Sequence, residues 1–225
     1  MRQHGDTDPP GLLAEWARAR GIPLEISRSD LDGEMPELDG RPFVASLGSA
    51  RSANESDVPA VRAELELLEQ ALRRGVPVLG LCFGGQVLAK LLGGEVERAP
   101  EPELGWYRVA TEDPELIGEG PWLQWHYERF TLPPGARALA RTSLALQAFA
   151  VGPHLAVQFH PEATPDTVRG WARKDRPRLE ALGIADGEER VERGRGHAAA
   201  ARQAALKLFD GFWRRAQEHD ERSRC

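Results

Sequence analysis

Residues 75–94 read GVPVLGLCFGGQVLAKLLGG. The piece VPVLGL is a continuous apolar run of strand length, and FGGQVLAKLLGG carries apolar residues at helical spacing. Between them Gly80, Cys82 and Gly84 form a G-x-C-x-G turn. A strand entering a helix through such a turn makes a sharp elbow, with glycines where the backbone must close up beside the cysteine. Cys82 then projects at the helix N-terminus, where the helix dipole and free N–H groups favour thiolate over thiol. The N–H of Phe83 points towards an oxyanion formed by attack at that sulfur. A small buried cysteine in an ordinary βα turn has the same local pattern, so the turn alone leaves both readings open.

The elements on either side extend the pattern. PGLLAEWARAR (10–20) has helical spacing with Gly21 as its stop, and IPLEIS (22–27) reads as a short strand. Asp39-Gly40 marks a turn before the buried strand FVASL, and PAVRAELELLEQALRR (59–74) is an amphipathic helix ended by Gly75. Strand and helix alternate, which predicts an α/β fold with a mainly parallel central sheet between helices, a three-layer flavodoxin-like sandwich. After Gly94 come short strand-like pieces, GEVER, GWYRVA, ARALART, ALQAFAV and HLAVQF, read as the far half of the sheet plus a small antiparallel flap. Helices return from Thr164, so residues 165–225 form a looser helical C-terminal part of a single domain spanning 1–225. The stretch RKDRPRLEALGIADGEERVERGRG has the weakest pattern and reads as a mobile surface excursion.

Composition narrows the class. The chain has 225 residues, enough for one sizeable core. With 29 basic against 35 acidic residues, the formal charge of −6 gives no reason to expect a nucleic-acid partner. No apolar run approaches the roughly 20 residues of a membrane span, and the polar start MRQHGDTDPPG shows no signal peptide. There are two cysteines, Cys82 and the last residue Cys225, and this usage suggests a reducing cytosol. No cluster suggests a metal, and no cofactor is expected.

A cysteine nucleophile needs a base. Of six histidines, His160 stands out because the apolar strand HLAVQF ends in His160-Pro161-Glu162. A turn fixed by Pro161 brings the Glu162 carboxylate to the imidazole, which orients the ring and favours the imidazolium. A solvent-exposed histidine at a strand end is the plain alternative. Together, both placed at strand ends, the two motifs make a Cys–His–Glu constellation.

GVPVLGLCFGGQVLAKLLGG followed by VQFHPEAT resembles the class I, triad-type glutamine amidotransferases, and within them stand-alone members similar to the amidotransferase domain of GMP synthase. The likeness runs from about residue 3 to 164. It implies attack of Cys82 on the glutamine side-chain amide, a γ-glutamyl thioester and release of ammonia. It implies that His160 shuttles protons, that Glu162 holds His160, and that the oxyanion is met at Ser49 and Phe83. Gln86 matches the glutamine that holds polar groups of the substrate. Gly48 and a short loop around Trp125 to Glu128, with His126, Tyr127 and Glu128, match the substrate grip; a structural role for His126 stays open.

Three departures from the family pattern stand out. The N-terminus begins where relatives are finishing a strand, so either the true start lies upstream or a sheet strand is missing. Gly48-Ser49-Ala50 replaces the usual Gly-Gly-Pro, and His126-Tyr127-Glu128 replaces His-Gly-Asp or similar. The chain carries no P-loop and no second domain for ATP, so ammonia would go to a separate synthetase. The alternative is a γ-glutamyl hydrolase or peptidase using the same triad on a wider substrate. A non-catalytic regulatory role is the third reading, opposed by the intact Cys82, His160 and Glu162.

Overall fold

The protein is described from a computed structural model that covers residues 1–29, 35–184 and 186–224; Cys225 lies outside the described residues. The described chain runs β1 (Arg2–Gln3), α1 (Gly11–Ala19), β2 (Ser27–Arg28), β3 (Val44–Ser46), α2 (Pro59–Arg73), β4 (Val78–Leu81), α3 (Phe83–Leu91), β5 (Val96–Tyr107) and β6 (Ala110–Thr111). It continues through β7 (Trp122–Phe130), β8 (Arg137–Arg141), β9 (Leu146–Val151), β10 (His154–Val157), α4 (Pro165–Lys174), α5 (Arg176–Ala181), α6 (Gly187–Arg193) and α7 (Ala198–Arg224). Eight strands form one sheet in the order β2-β1-β3-β4-β10-β9-β8-β6, and β5 pairs with β7 in a separate antiparallel ribbon. From β2 to β10 every pairing is parallel; from β10 to β6 every pairing is antiparallel.

Strand residues alternate between the two faces, and the core follows that alternation. Ala45, Leu79 and Leu155 join Leu12, Leu13 and Trp16 of α1 and Phe209 and Phe212 of α7. Val44, Val78 and Ala156 join Val61, Leu67 and Leu68 of α2 and Val87 and Leu88 of α3. The result is the expected three-layer sandwich. Gly21 and Gly75 take positive φ, 65° and 68°, where α1 and α2 stop.

Three expectations change. The first strand is not missing: β1 lies between β2 and β3, short but paired on both sides. Leu47 N–H donates to the Arg2 carbonyl (3.2 Å) and Ser29 N–H to that of Gln3 (2.9 Å). The segment IPLEIS is strand only from Ser27 onward. The weakly patterned stretch after Lys174 forms α5 and α6, which pack on the ribbon: Trp106 Nε1 donates to the Val191 carbonyl at 2.8 Å.

The buried stripe of α2 contains a carboxylate, Glu64, fully covered between Val61 and Leu68. Its Oε1 accepts from Ser46 Oγ at 2.5 Å, and Oε2 lies 3.5 Å from Arg2 Nε. A buried charge is tolerated only when paired, and here one carboxylate ties α2, β3 and β1 together. Glu64→Ala strands the buried Arg2 guanidinium. It is expected to lower stability by about 3–5 kcal/mol in urea unfolding, whereas an exposed control, Glu66→Ala, stays near zero.

Candidate active site

The carboxyl ends of adjacent parallel strands converge on one cavity, as open α/β sheets favour. Asp8 follows β1, Gly48 and Ser49 follow β3, Cys82 follows β4 and His160 follows β10, and all of them line a cavity of about 480 Å³.

Cys82 occupies the elbow itself, with φ 49° and ψ −105°, a region few side chains adopt. The surrounding glycines are demanded by contact. A Cβ on Gly80 would lie 2.6 Å from the Gly84 carbonyl oxygen, and one on Gly84 would lie 2.2 Å from that of Ser46. The turn is pinned by Cys82 N–H donating to the Val157 carbonyl at 2.8 Å. Gln158 Nε2 donates to Cys82 Sγ at 3.6 Å, and Gln86 Nε2 reaches Gln158 Oε1 at 3.5 Å.

His160 and Glu162 meet as the spacing predicts, with Nδ1 2.8 Å from Glu162 Oε1 and both side chains buried. Two backbone bonds hold the turn: His160 N–H to the Leu123 carbonyl, and Leu12 N–H at the start of α1 to the Glu162 carbonyl, both 2.9 Å. The Trp171 ring packs on the imidazole at 4.6 Å between centroids. Burial pushes the His160 pKa down, but the Cys82 and Glu162 charges and their hydrogen bonds outweigh it and raise the pKa well above its usual range.

Gly48 is also demanded by contact, since a Cβ there would lie 2.8 Å from His160 Cε1. Ser49 has no positive φ, so the serine that replaces the usual glycine is accommodated without backbone strain. The N–H groups of Ser49 and Phe83 donate to no other group among the described residues.

The substrate-grip segment is a correction to the sequence reading: Trp125, His126, Tyr127 and Glu128 belong to strand β7, not to a loop. All four line the cavity. The His126 ring is hydrogen-bonded through Nδ1, 3.0 Å from the Glu128 carbonyl, while Nε2 lies 3.2 Å from buried Glu103 Oε2 without making a hydrogen bond. Gln147 donates through Nε2 to the same Glu103 oxygen at 2.7 Å and accepts through Oε1 from Gln124 Nε2 at 2.6 Å. Glu128 Oε1 accepts from Ser52 Oγ at 2.9 Å, and Gln86 Nε2 donates to the Glu128 carbonyl at 3.2 Å.

Sequence reasoning missed Gln158, Asp8, Trp171, Lys174, Asp175 and Arg178. Gln158 was findable, because a residue two before His160 on an extended chain points the same way. Asp8 carried no signal. Burial raises its pKa to about 6 against the downward pull of His160 and Lys174. The other four come from α4, α5 and the Asp175 junction between them, whose placement only the tertiary structure shows.

Fold and site together define a class: an α/β sandwich with a thiol, an imidazole and a carboxylate gathered at a strand-to-helix elbow. A family model described as glutamine amidotransferase class-I matches residues 48–170. The chain belongs to the class-I glutamine amidotransferase family. It is similar to GMP synthase [glutamine-hydrolyzing] of Aeropyrum pernix, 34% identical over 166 residues, which cover 67% of this chain and 30% of that protein. The same-named protein of Nitrosomonas eutropha is 39% identical over 182 residues, 73% of this chain and 34% of its own length. The chain thus spans about a third of these curated relatives. In Ignicoccus hospitalis the similar protein is named as one subunit of GMP synthase [glutamine-hydrolyzing]. It is 38% identical over 104 residues, 42% of this chain and 55% of that one. Among solved structures, a glutamine amidotransferase from Methylobacillus flagellatus superposes with TM-score 0.82 at 28% identity, covering 96% of this chain and 93% of that one. A glutamine amidotransferase from Thermotoga maritima gives 0.81 at 26%, covering 94% and 96%.

The charges around His160 fix the sign of a titration. Glu162 favours the imidazolium, so Glu162→Gln should lower the His160 pKa from its raised value, while His160 in the parent chain should still be protonated well above pH 6.5. An NMR titration of the His160 ring protons reads both. An unshifted value in Glu162→Gln would remove the carboxylate from the account.

Proposed function

We propose that this chain is a glutaminase that releases ammonia for a separate synthetase. In this reading Cys82 Sγ attacks the side-chain amide carbon of glutamine, and the oxyanion is met by the N–H groups of Ser49 and Phe83. The His160 imidazolium gives its proton to the departing nitrogen as the C–N bond breaks. Ammonia leaves and a γ-glutamyl thioester remains. Water then attacks the thioester, His160 takes its proton, the C–S bond breaks and glutamate departs. The sum is glutamine plus water giving glutamate plus ammonia. Glu162 holds the ring throughout, and Gly48, Gln86 and the β7 residues His126, Tyr127 and Glu128 hold the substrate. The raised His160 pKa suits the first step, because the acid that protonates the leaving nitrogen is present at neutral pH.

The observation that carries the reading is the 2.8 Å His160–Glu162 pair, whose imidazole lines the same cavity as a thiol on a strained elbow, inside the family match. A separate acceptor is supported by the name of the Ignicoccus relative, which makes it one subunit of a larger synthase. Residues 1–225 act here as one domain of a cytoplasmic protein, without metal or other cofactor. The second reading, γ-glutamyl hydrolysis, is favoured by one feature: the cavity extends past the glutamyl site to Lys174 and Arg178.

Glutamate release from glutamine tests the proposal. Cys82→Ala should lose more than roughly 10³-fold, and Glu162→Gln roughly 10²–10⁴-fold in kcat, with stable folding in both. A parent chain that releases no glutamate from glutamine or any γ-glutamyl amide would turn the assignment towards a non-catalytic role. Equal rates in the parent and Cys82→Ala would exclude the thiol.

A further inference from the structure

Asp175 and Arg178 lie beyond residue 170, where the family match ends, yet both line the cavity. Asp175, between α4 and α5, accepts on one carboxylate oxygen from Trp125 Nε1 (3.1 Å) and from the Tyr127 hydroxyl (2.5 Å). Burial and the Asp175 carboxylate push the Tyr127 pKa well above its usual value, so the phenol remains a donor. The ring, fixed at its tip, becomes a platform: the Arg178 guanidinium lies 3.5 Å above its centre. The tyrosine that replaces the usual glycine thus has a partner in this chain's own C-terminal helices.

The charges on those helices divide by direction. Arg169 pairs with Asp166, and Arg173 and Arg176 share Glu188. Lys174 and Arg178, the two that line the cavity, have no ion-pair partner among the described residues. Lys174 Nζ reaches only Thr7 Oγ1 at 3.4 Å, acting on Asp8 through space. The acids of the same cavity are engaged elsewhere: Glu128 and Glu55 bond to Ser52, and Asp175 to its two aromatic donors. Burial raises the Asp8 pKa to about 6, so Asp8 remains a carboxylate at neutral pH and faces Lys174 through space. Arg51 lines the cavity as well, without an ion pair among the described residues, so its three cations outnumber the one uncommitted carboxylate.

The position of Lys174 and Arg178 indicates what they would meet. Trp171 packs on His160; Lys174 follows one turn later at the end of α4, and Arg178 lies on α5 beyond Asp175. In the proposed chemistry the leaving nitrogen departs on the His160 side. A carboxylate attached to that nitrogen would therefore lie towards these cations.

We infer that Lys174 and Arg178, the latter seated on Tyr127, form a subsite for a carboxylate on the leaving amine, so that the site takes γ-glutamyl amino acids or short γ-glutamyl peptides. The inference rests on the reading that Cys82 cleaves γ-glutamyl amides. There the bond broken is the γ-amide C–N bond, and the amino acid leaves with the proton from His160.

Binding separates this inference from that reading, because it needs no turnover. γ-Glutamylglycine and γ-glutamylglycinamide differ only in the distal carboxylate. Titrated calorimetrically into Cys82→Ala, the acid should bind at least tenfold more tightly than the amide. The ratio should fall towards one in Lys174→Gln/Arg178→Gln and be largely retained in Arg178→Lys, with thermal unfolding confirming that each variant is folded. Equal binding of acid and amide would overturn the subsite. So would a ratio that survives the double substitution, or a loss that strikes both compounds equally, since that would assign the cations to the α-carboxylate they share. Glutamine turnover by the parent chain, measured in parallel, reads the thiol chemistry alone.

Discussion

The packing of backbone against backbone at the elbow is the constraint on which the site depends. Gly84 lies so close to the Ser46 carbonyl, and Gly80 to Gly84, that any side chain would force β3, β4 and α3 apart. That closeness turns Cys82 into the left-handed region and throws its sulfur out of the sheet. It also sets where Gly48 passes His160, since Gly48 follows Ser46 by two residues. One steric fact therefore places the Cys82 thiol, the His160 imidazole and the N–H groups of Ser49 and Phe83 together. The strain is held by the layer that α2 and α3 form on one face of the sheet: the apolar packing of α3, and the buried Glu64–Ser46–Arg2 tie made from α2.

Around this rigid centre the rest of the cavity is polar and assembled from distant segments. The ribbon β5–β7 contributes a buried chain of amides and one carboxylate, Glu103, behind the His126 ring. Glu103 Oε1, Gln124 Oε1 and His126 Nε2 have no hydrogen-bond partner among the described residues, so the network is only partly satisfied. The α4–α5 helices contribute the opposite wall through Trp171 and Asp175. Cys82, His160 and Glu162 lie within the family match at residues 48–170, while Trp171 and Asp175 of the far wall lie just beyond it.

What was legible in the sequence follows the same division. The elbow, the sandwich and the His160–Glu162 turn were readable because apolar periodicity and glycine placement report them directly. Strand β7 is read as a loop from the resemblance, and its buried Gln124 and His126 give no apolar alternation to overrule that reading. Polar residues break the alternation that signals a strand, and only the partners Gln147 and Glu103 make them tolerable inside. Strand β1 escaped for the same reason: Arg2 is buried because Glu64, distant in sequence, neutralises it. The wall from Trp171 to Arg178 is charged and weakly patterned, and its place is set by Asp175 meeting two aromatic rings on β7. None of these pairings is local, so no window of sequence could contain them.

The pairing of β10 with β4 has a consequence for how the protein is made. Gln158 and Cys82 are 76 positions apart, yet they are hydrogen-bonded neighbours, and the parallel strands that join them form no local hairpin. Contacts of this span close slowly, after the intervening ribbon has been laid aside. During synthesis at roughly 5–20 residues per second, Cys82 precedes its imidazole partner by roughly 4–15 s. The nascent chain therefore carries the Cys82 thiol for that interval before His160 has been made.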